Sequence, residues 1–173
     1  MIWHYAQGMA MLSQHKIVEA KKHLNIMKKI MLDTKIKDLT IWEGNSVYDL
    51  CIIASKILDA ELNAKEKKYA TAIALLQEAV RKEDALNYNE PPDWFFSVRH
   101  HLGAVLLDAE HYKAAVKVYE EDLKNYPKNG WALRGLMNAY EKLGDKKKYE
   151  ETKSRFEMAW KYADITISSS RIL

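Results

Sequence analysis

Residues 99–127, RHHLGAVLLDAEHYKAAVKVYEEDLKNYP, constrain the fold of this chain more than any other stretch. Apolar residues fall at Val98, Leu102, Val105, Leu106 and Ala109, then at Tyr112, Ala115, Val116, Val118, Tyr119 and Leu123. Each set follows the i, i+3/i+4, i+7 spacing of a helix with one buried stripe. The spacing predicts helices over residues 95–109 and 112–125, meeting at a tight turn. Gly103 lies inside the first. A mid-helix glycine costs about 1 kcal/mol relative to alanine, so another helix is expected to come very close there. Ala114 and Ala115 allow tight pairing, and Pro127 stops the second helix.

Leu102-Gly103, Leu106, Tyr112, Ala115, Tyr119 and Pro127 together resemble the signature of a tetratricopeptide (TPR) repeat, a helix–turn–helix unit with a period of about 34 residues. The chain can be tiled outwards from this unit. Gly8, Ala20, Leu24 and Met27 match its small and large positions in a first hairpin, residues 2–31. Tyr69, Ala72, Leu76 and Ala79 repeat the spacing in a hairpin over residues 46–82, with Ser46 as helix N-cap. The central unit spans residues 94–126, with Asp93 as the cap of its first helix. Asn129 caps the last hairpin, residues 129–163, and Gly144-Asp145 forms its turn. The resemblance implies an all-α, TPR-like α–α superhelix (solenoid) of about eight helices, right-handed and forming one domain over residues 1–173.

Two segments depart from the tiling. Residues 33–45 end in TIWEGN, an ordered connection that Ile41 and Trp42 are expected to pack. Residues 83–93, EDALNYNEPPD, contain Pro91-Pro92, which forbids helix. Arg99 stands where the repeat buries an apolar residue, and a buried guanidinium needs a partner. It is expected either to pin the EPPD segment through an acidic neighbour or to snorkel to the surface. IWEGN, EPPDWFFSVRHHLGAVLL and NGWALRGL together resemble the C-terminal region of a broad set of bacterial TPR proteins that carry no assigned activity. The N-terminus reads like the middle of a helix, so the chain is expected to be the C-terminal part of a longer array. The last residues, DITISSSRIL, read as a short tail that folds back on the last helix or is disordered.

Composition narrows the function classes. Apolar residues make up 48% and charged ones 29%, with 27 basic against 24 acidic residues and a net charge of +3. That balance argues against nucleic acid or a membrane surface as partner. Cys51 is the only cysteine, so neither an internal disulfide nor a cysteine-based zinc site can form. It lies in an apolar stripe where a thiol is inert. His100 and His101 point about 100° apart on a helix and have no histidine at i+4, so no metal site is expected. No nucleophile motif, phosphate loop or dinucleotide fingerprint is present. An enzyme is not expected, nor a cofactor, and the expected compartment is the cytoplasm. Trp3, Trp42, Trp94, Phe95, Phe96 and Trp160 are expected in the core or at repeat junctions.

In TPR proteins the first helix of each pair lines a concave groove that binds peptides. Carried over by position, the resemblance assigns Tyr5, Met9, Glu61, His100, His101, Ala104, Trp131, Arg134 and Asn138 to such a groove. Arg and protonated His would suit an acidic or C-terminal peptide. The expected function is a protein-interaction scaffold for a peptide or partner domain. Self-association as a homodimer, or service as the regulatory region of a larger enzyme, are the alternatives.

Overall fold

The structure, a computed structural model, describes residues 1–172. Those residues form eight α-helices: α1 (Ile2–Ser13), α2 (Ile17–Ile30), α3 (Val47–Lys65), α4 (Tyr69–Asp84), α5 (Val98–Asp108), α6 (Tyr112–Asn125), α7 (Gly130–Leu143) and α8 (Lys146–Ala159). A short 3-10 helix, Thr34–Asp38, and one isolated bridge between Thr40 and Ser46 complete the regular structure. The chain is all-helical, with consecutive helices paired. Backbone contacts divide it into two compact units, residues 1–98 and 99–172.

All four pairs turn in the same way. His15, Lys67, Glu110 and Gly144 each adopt a left-handed backbone, with φ of 59°, 60°, 61° and 71°. The next residue then reaches back five positions: Lys16 N–H to Met11 O, Lys68 to Asn63, His111 to Leu106 and Asp145 to Tyr140, at 2.8–3.1 Å. This is the Schellman arrangement, which satisfies carbonyls that a helix end leaves open. Only one of the four turns uses glycine, so the repetition lies in the backbone and not in the residue type.

In the first unit, α1 packs on α2 and α3, and α3 on α4. Leu12, Ala20, Met27, Ile53, Ile57, Leu58 and Leu76 are fully buried there. The two irregular segments are joined by one side chain. Asn45 Nδ2 donates to Asn87 O at 2.9 Å and to Asp93 Oδ2 at 2.7 Å, and its Oδ1 accepts from Asn87 N–H at 2.6 Å. Asp93 also accepts from Asn89 Nδ2 at 3.1 Å. Asp93 therefore does not cap α5, which begins at Val98. The first N–H of that helix is met by both carboxylate oxygens of Glu83, at 3.1 and 3.2 Å. A carboxylate favours a helix N-terminus because the open N–H groups there carry partial positive charge. Trp42 is 78% exposed and does not pack its loop; Ile41 is half-buried. Trp3 and Phe95 are also exposed. Trp94 is buried, edge-on to Tyr5 with ring centroids 5.5 Å apart.

In the second unit, α6 packs on α7 and α7 on α8. Ala115 is fully buried, as are Val105, Ala132, Leu133 and Ala139. Asn129 caps α7 by accepting from Trp131 N–H and Ala132 N–H at 3.0 and 3.3 Å. Asp145 caps α8 through Lys148 N–H at 3.1 Å. Pro127 lies in the short link between α6 and α7. Trp160 stacks on Phe156 at 5.7 Å and meets Trp131 edge-on at 5.6 Å.

Candidate peptide-binding face

The centre of the second unit is a tyrosine ring held between two glycines. A Cβ placed on Gly103 of α5 would lie 2.3 Å from Tyr119 Cζ, and one on Gly135 of α7 would lie 2.2 Å from the same atom. Tyr119, on α6, thus passes its ring between α5 and α7 where neither helix has a side chain. What comes close at Gly103 is this side-chain ring, where another helix was expected. Its phenol is buried, which pushes its pKa above the ordinary 10.

The phenolic oxygen emerges against the C-terminal segment. Tyr119 Oη is 2.7 Å from Ser170 Oγ, and Ser170 Oγ donates to His100 O at 2.8 Å. The serine hydroxyl has one proton and gives it to the carbonyl, so Tyr119 is the donor in the first bond. A helical carbonyl has two lone pairs, and the hydroxyl takes the one that the helix ladder leaves.

Further anchors flank this pair. Asn138 Nδ2 on α7 donates to Ser168 O at 2.8 Å, Trp160 Nε1 donates to Ile165 O at 2.7 Å, and Arg171 Nη2 donates to Asp108 Oδ2 on α5 at 2.5 Å. Residues 165–171 therefore lie as an irregular ribbon across α5 and α7, the first helices of their pairs. Ser170 is 1% exposed, whereas Ile165, Thr166 and Ser168 remain open to solvent.

The side chains assigned to a groove from the sequence divide into three groups. Asn138 holds the ribbon, and His100 supplies a backbone carbonyl to it. The imidazole of His100 is 2% exposed and faces inwards: Nε2 is 3.2 Å from Asp122 Oδ2 and 3.0 Å from Asn129 Nδ2. The ring's tautomer decides which of the two bonds it makes. His101 and Ala104 are buried as well. Arg134 is half-buried, with its guanidinium 4.4 Å above the Phe156 ring of α8, and Trp131 meets Trp160. These two pack the last hairpin instead of lining an open groove. In the first unit Tyr5 and Glu61 are buried, and Met9 is half-buried. Burial, then the charge of Glu61, pushes the Tyr5 phenol above its ordinary pKa. Neither Tyr5 nor Glu61 offers a surface to a ligand. Arg99 is half-buried in the first turn of α5.

Four residues of the face had no signal in the helical pattern: Asp108, Gly135, Ser170 and Arg171. Asp108 reads as a solvated helix end and the Ser-Ser-Ser-Arg run as a polar tail. Only the fold brings them together. Away from this face, His4 and His23 meet with Nδ1 atoms 3.0 Å apart. Among the described residues no group of three or more His, Cys, Asp or Glu side chains is placed to hold a metal. No helix there is long and apolar enough to cross a membrane. Cys51 is buried, which raises its thiol pKa.

No family model matches the chain, and no curated protein matches it.

Proposed function

We propose that this chain is a TPR-like helical-repeat module whose function is to bind an extended segment of polypeptide, with the α5–α7 face of the second unit as the binding surface. One observation carries the reading: that face already holds such a segment. Asn138, the His100 carbonyl, Tyr119 and Asp108 address a carbonyl, a hydroxyl and a guanidinium of residues 168–171. Repeat proteins of paired helices use the same surface for peptides, and the four identical turns support the repeat assignment. The module works as a scaffold, by positioning a partner, with no chemistry of its own.

The test is selection from a displayed peptide library on the chain carrying Ser170→Asp/Arg171→Glu, which frees the face of its own segment, and on the same chain with Asp108→Ala/Asn138→Ala added, the two having equal melting temperature. Sequences enriched on the first and lost on the second support the reading. Equal enrichment on both, or none on either, overturns it.

A second reading, self-association, draws on the first hairpin, where Ile2, Trp3 and Val18 are exposed. Large apolar side chains left exposed are candidates for contact with a second copy. A light-scattering mass of twice the chain, returning to one on Trp3→Glu/Val18→Glu, would establish it.

A further inference from the structure

The ribbon at residues 165–171 is built as a ligand, and its contacts specify what else the face would take. We infer that the C-terminal segment is an intramolecular ligand of the α5–α7 face, standing in the place of a partner's extended segment that carries a Ser or Thr followed directly by an Arg. The inference rests on the peptide-binding reading and gives it a sequence class and a competitor.

The chemistry of each position is selective. The group at Ser170 must accept from Tyr119 and donate to the His100 carbonyl at once. A hydroxyl does both, and an amine or carboxylate does not. Ser170 is 1% exposed, so the position also limits size. Asp108 next to it faces Arg171. Arg presents a fork of donors matched to a carboxylate, which Lys does not. Asn138 takes a backbone carbonyl two residues earlier, at Ser168, and so reads chain direction and not sequence. The recognised pattern is a free carbonyl, one spacer residue, a small hydroxyl residue and Arg.

The anchors reach the ribbon through side chains and one carbonyl lone pair, so the segment can leave while α5–α7 keep their ladders. It is tethered by only a few residues after Trp160. A short tether gives an effective concentration in the millimolar range. A partner with the same contacts must therefore compete against that concentration, and its apparent affinity falls by the fraction of chains whose face is open.

The experiment uses the full chain. A fluorescein-labelled peptide, ADITISSSRI, is titrated by anisotropy with the parent chain and with Ser170→Asp/Arg171→Glu. That variant sets a carboxylate against the His100 carbonyl and a second one against Asp108, leaving α5–α7 unchanged. Heteronuclear NOE values at residues 165–171 report whether the ribbon is released. The expected result is binding to the released chain at least about tenfold tighter than to the parent, a difference of about 1.4 kcal/mol. A peptide with the Ser170 and Arg171 positions changed to Ala should not bind. Equal affinity for parent and released chain overturns the inference while leaving the peptide-binding face in place. No binding to a chain whose ribbon is demonstrably free overturns both. A ribbon that stays rigid in the variant overturns the assignment of Ser170 and Arg171 as its anchors. Should the double variant unfold, Arg171→Ala alone must show the same direction of change, and parent-like affinity there also overturns the inference.

Discussion

The hydroxyl of Tyr119 lies 2.7 Å from that of Ser170, 51 residues further along the chain. The tyrosine reaches it because Gly103 and Gly135 leave its ring a slot between α5 and α7. Two effects oppose each other in Gly103→Ala. Helix propensity gains about 1 kcal/mol. The new Cβ would overlap a ring that cannot retreat, because Gly135 borders its other side; overpacking of this kind costs about 1–3 kcal/mol. Overpacking should win. Urea unfolding should show a net loss, and the ribbon should loosen. An increase in stability would show that the ring is not confined.

Glu110→Gly should act in the opposite direction. A left-handed backbone costs an L-residue about 1–2 kcal/mol, and glycine's extra chain entropy returns about 0.5–1 kcal/mol of that. The expected gain is up to about 1.5 kcal/mol, read as a higher denaturant midpoint with an unchanged slope. Lys67→Gly should behave alike. A loss in both would mean that these turns are not held at positive φ in solution.

Asn45 and Trp42 make a paired test of what orders the irregular segments of the first unit. Asn45→Ala removes three hydrogen bonds and leaves Asn87 and Asp93 without them, which should cost about 1–3 kcal/mol. Trp42→Ala, at an exposed site, should stay within about 0.5 kcal/mol of the parent. Comparable losses in thermal melts would contradict the assignment of the tie to Asn45.

The His4 and His23 rings share one hydrogen bond between Nδ1 atoms, which requires one donor and one acceptor. Partial burial, then the neighbouring charge of His23, holds His4 below its ordinary pKa of 6.5. The unfolded chain therefore takes up a proton first as pH falls. Stability should decline as pH drops through 6.5 and level off below the folded-state value. In a proton NMR titration His4 should turn below 6.5 and move upwards in His23→Ala. An unshifted His4 in both chains would contradict the contact.

The helices were legible in this sequence because a 3.6-residue apolar period survives in every pair, and Ser46, Asn129 and Gly144 mark ends that the structure reproduces. The start of α5 was not. Asp93 is a good cap residue, but its carboxylate is drawn away by Asn45, 48 positions earlier, and Glu83 takes its role. Aromatic residues misled for a related reason. Trp42, Trp3 and Phe95 carry the composition of a core but sit outside the buried stripes. The α5–α7 face was half legible. Position within the expected repeat picked out Asn138 and the neighbourhood of His100. It also picked out Tyr5, Glu61, His101 and Arg134, because a positional rule places a residue on a helix without saying what covers it. Ser170 and Arg171 lie in a stretch with no periodicity, so nothing local tied them to Tyr119 and Asp108.

The most direct test of the central claim reads the side-chain amide of Asn138 by 15N NMR, since its Nδ2 donates to Ser168 O. In the parent chain this resonance should be that of a hydrogen-bonded amide. It should shift in Ser170→Asp/Arg171→Glu, and return to the parent position when the ADITISSSRI peptide is added. A resonance that stays in one place through all three states, in a variant whose residues 165–171 are free by their heteronuclear NOE values, would show that the α5–α7 face does not hold the C-terminal segment, and that it is no receptor for a segment of that kind.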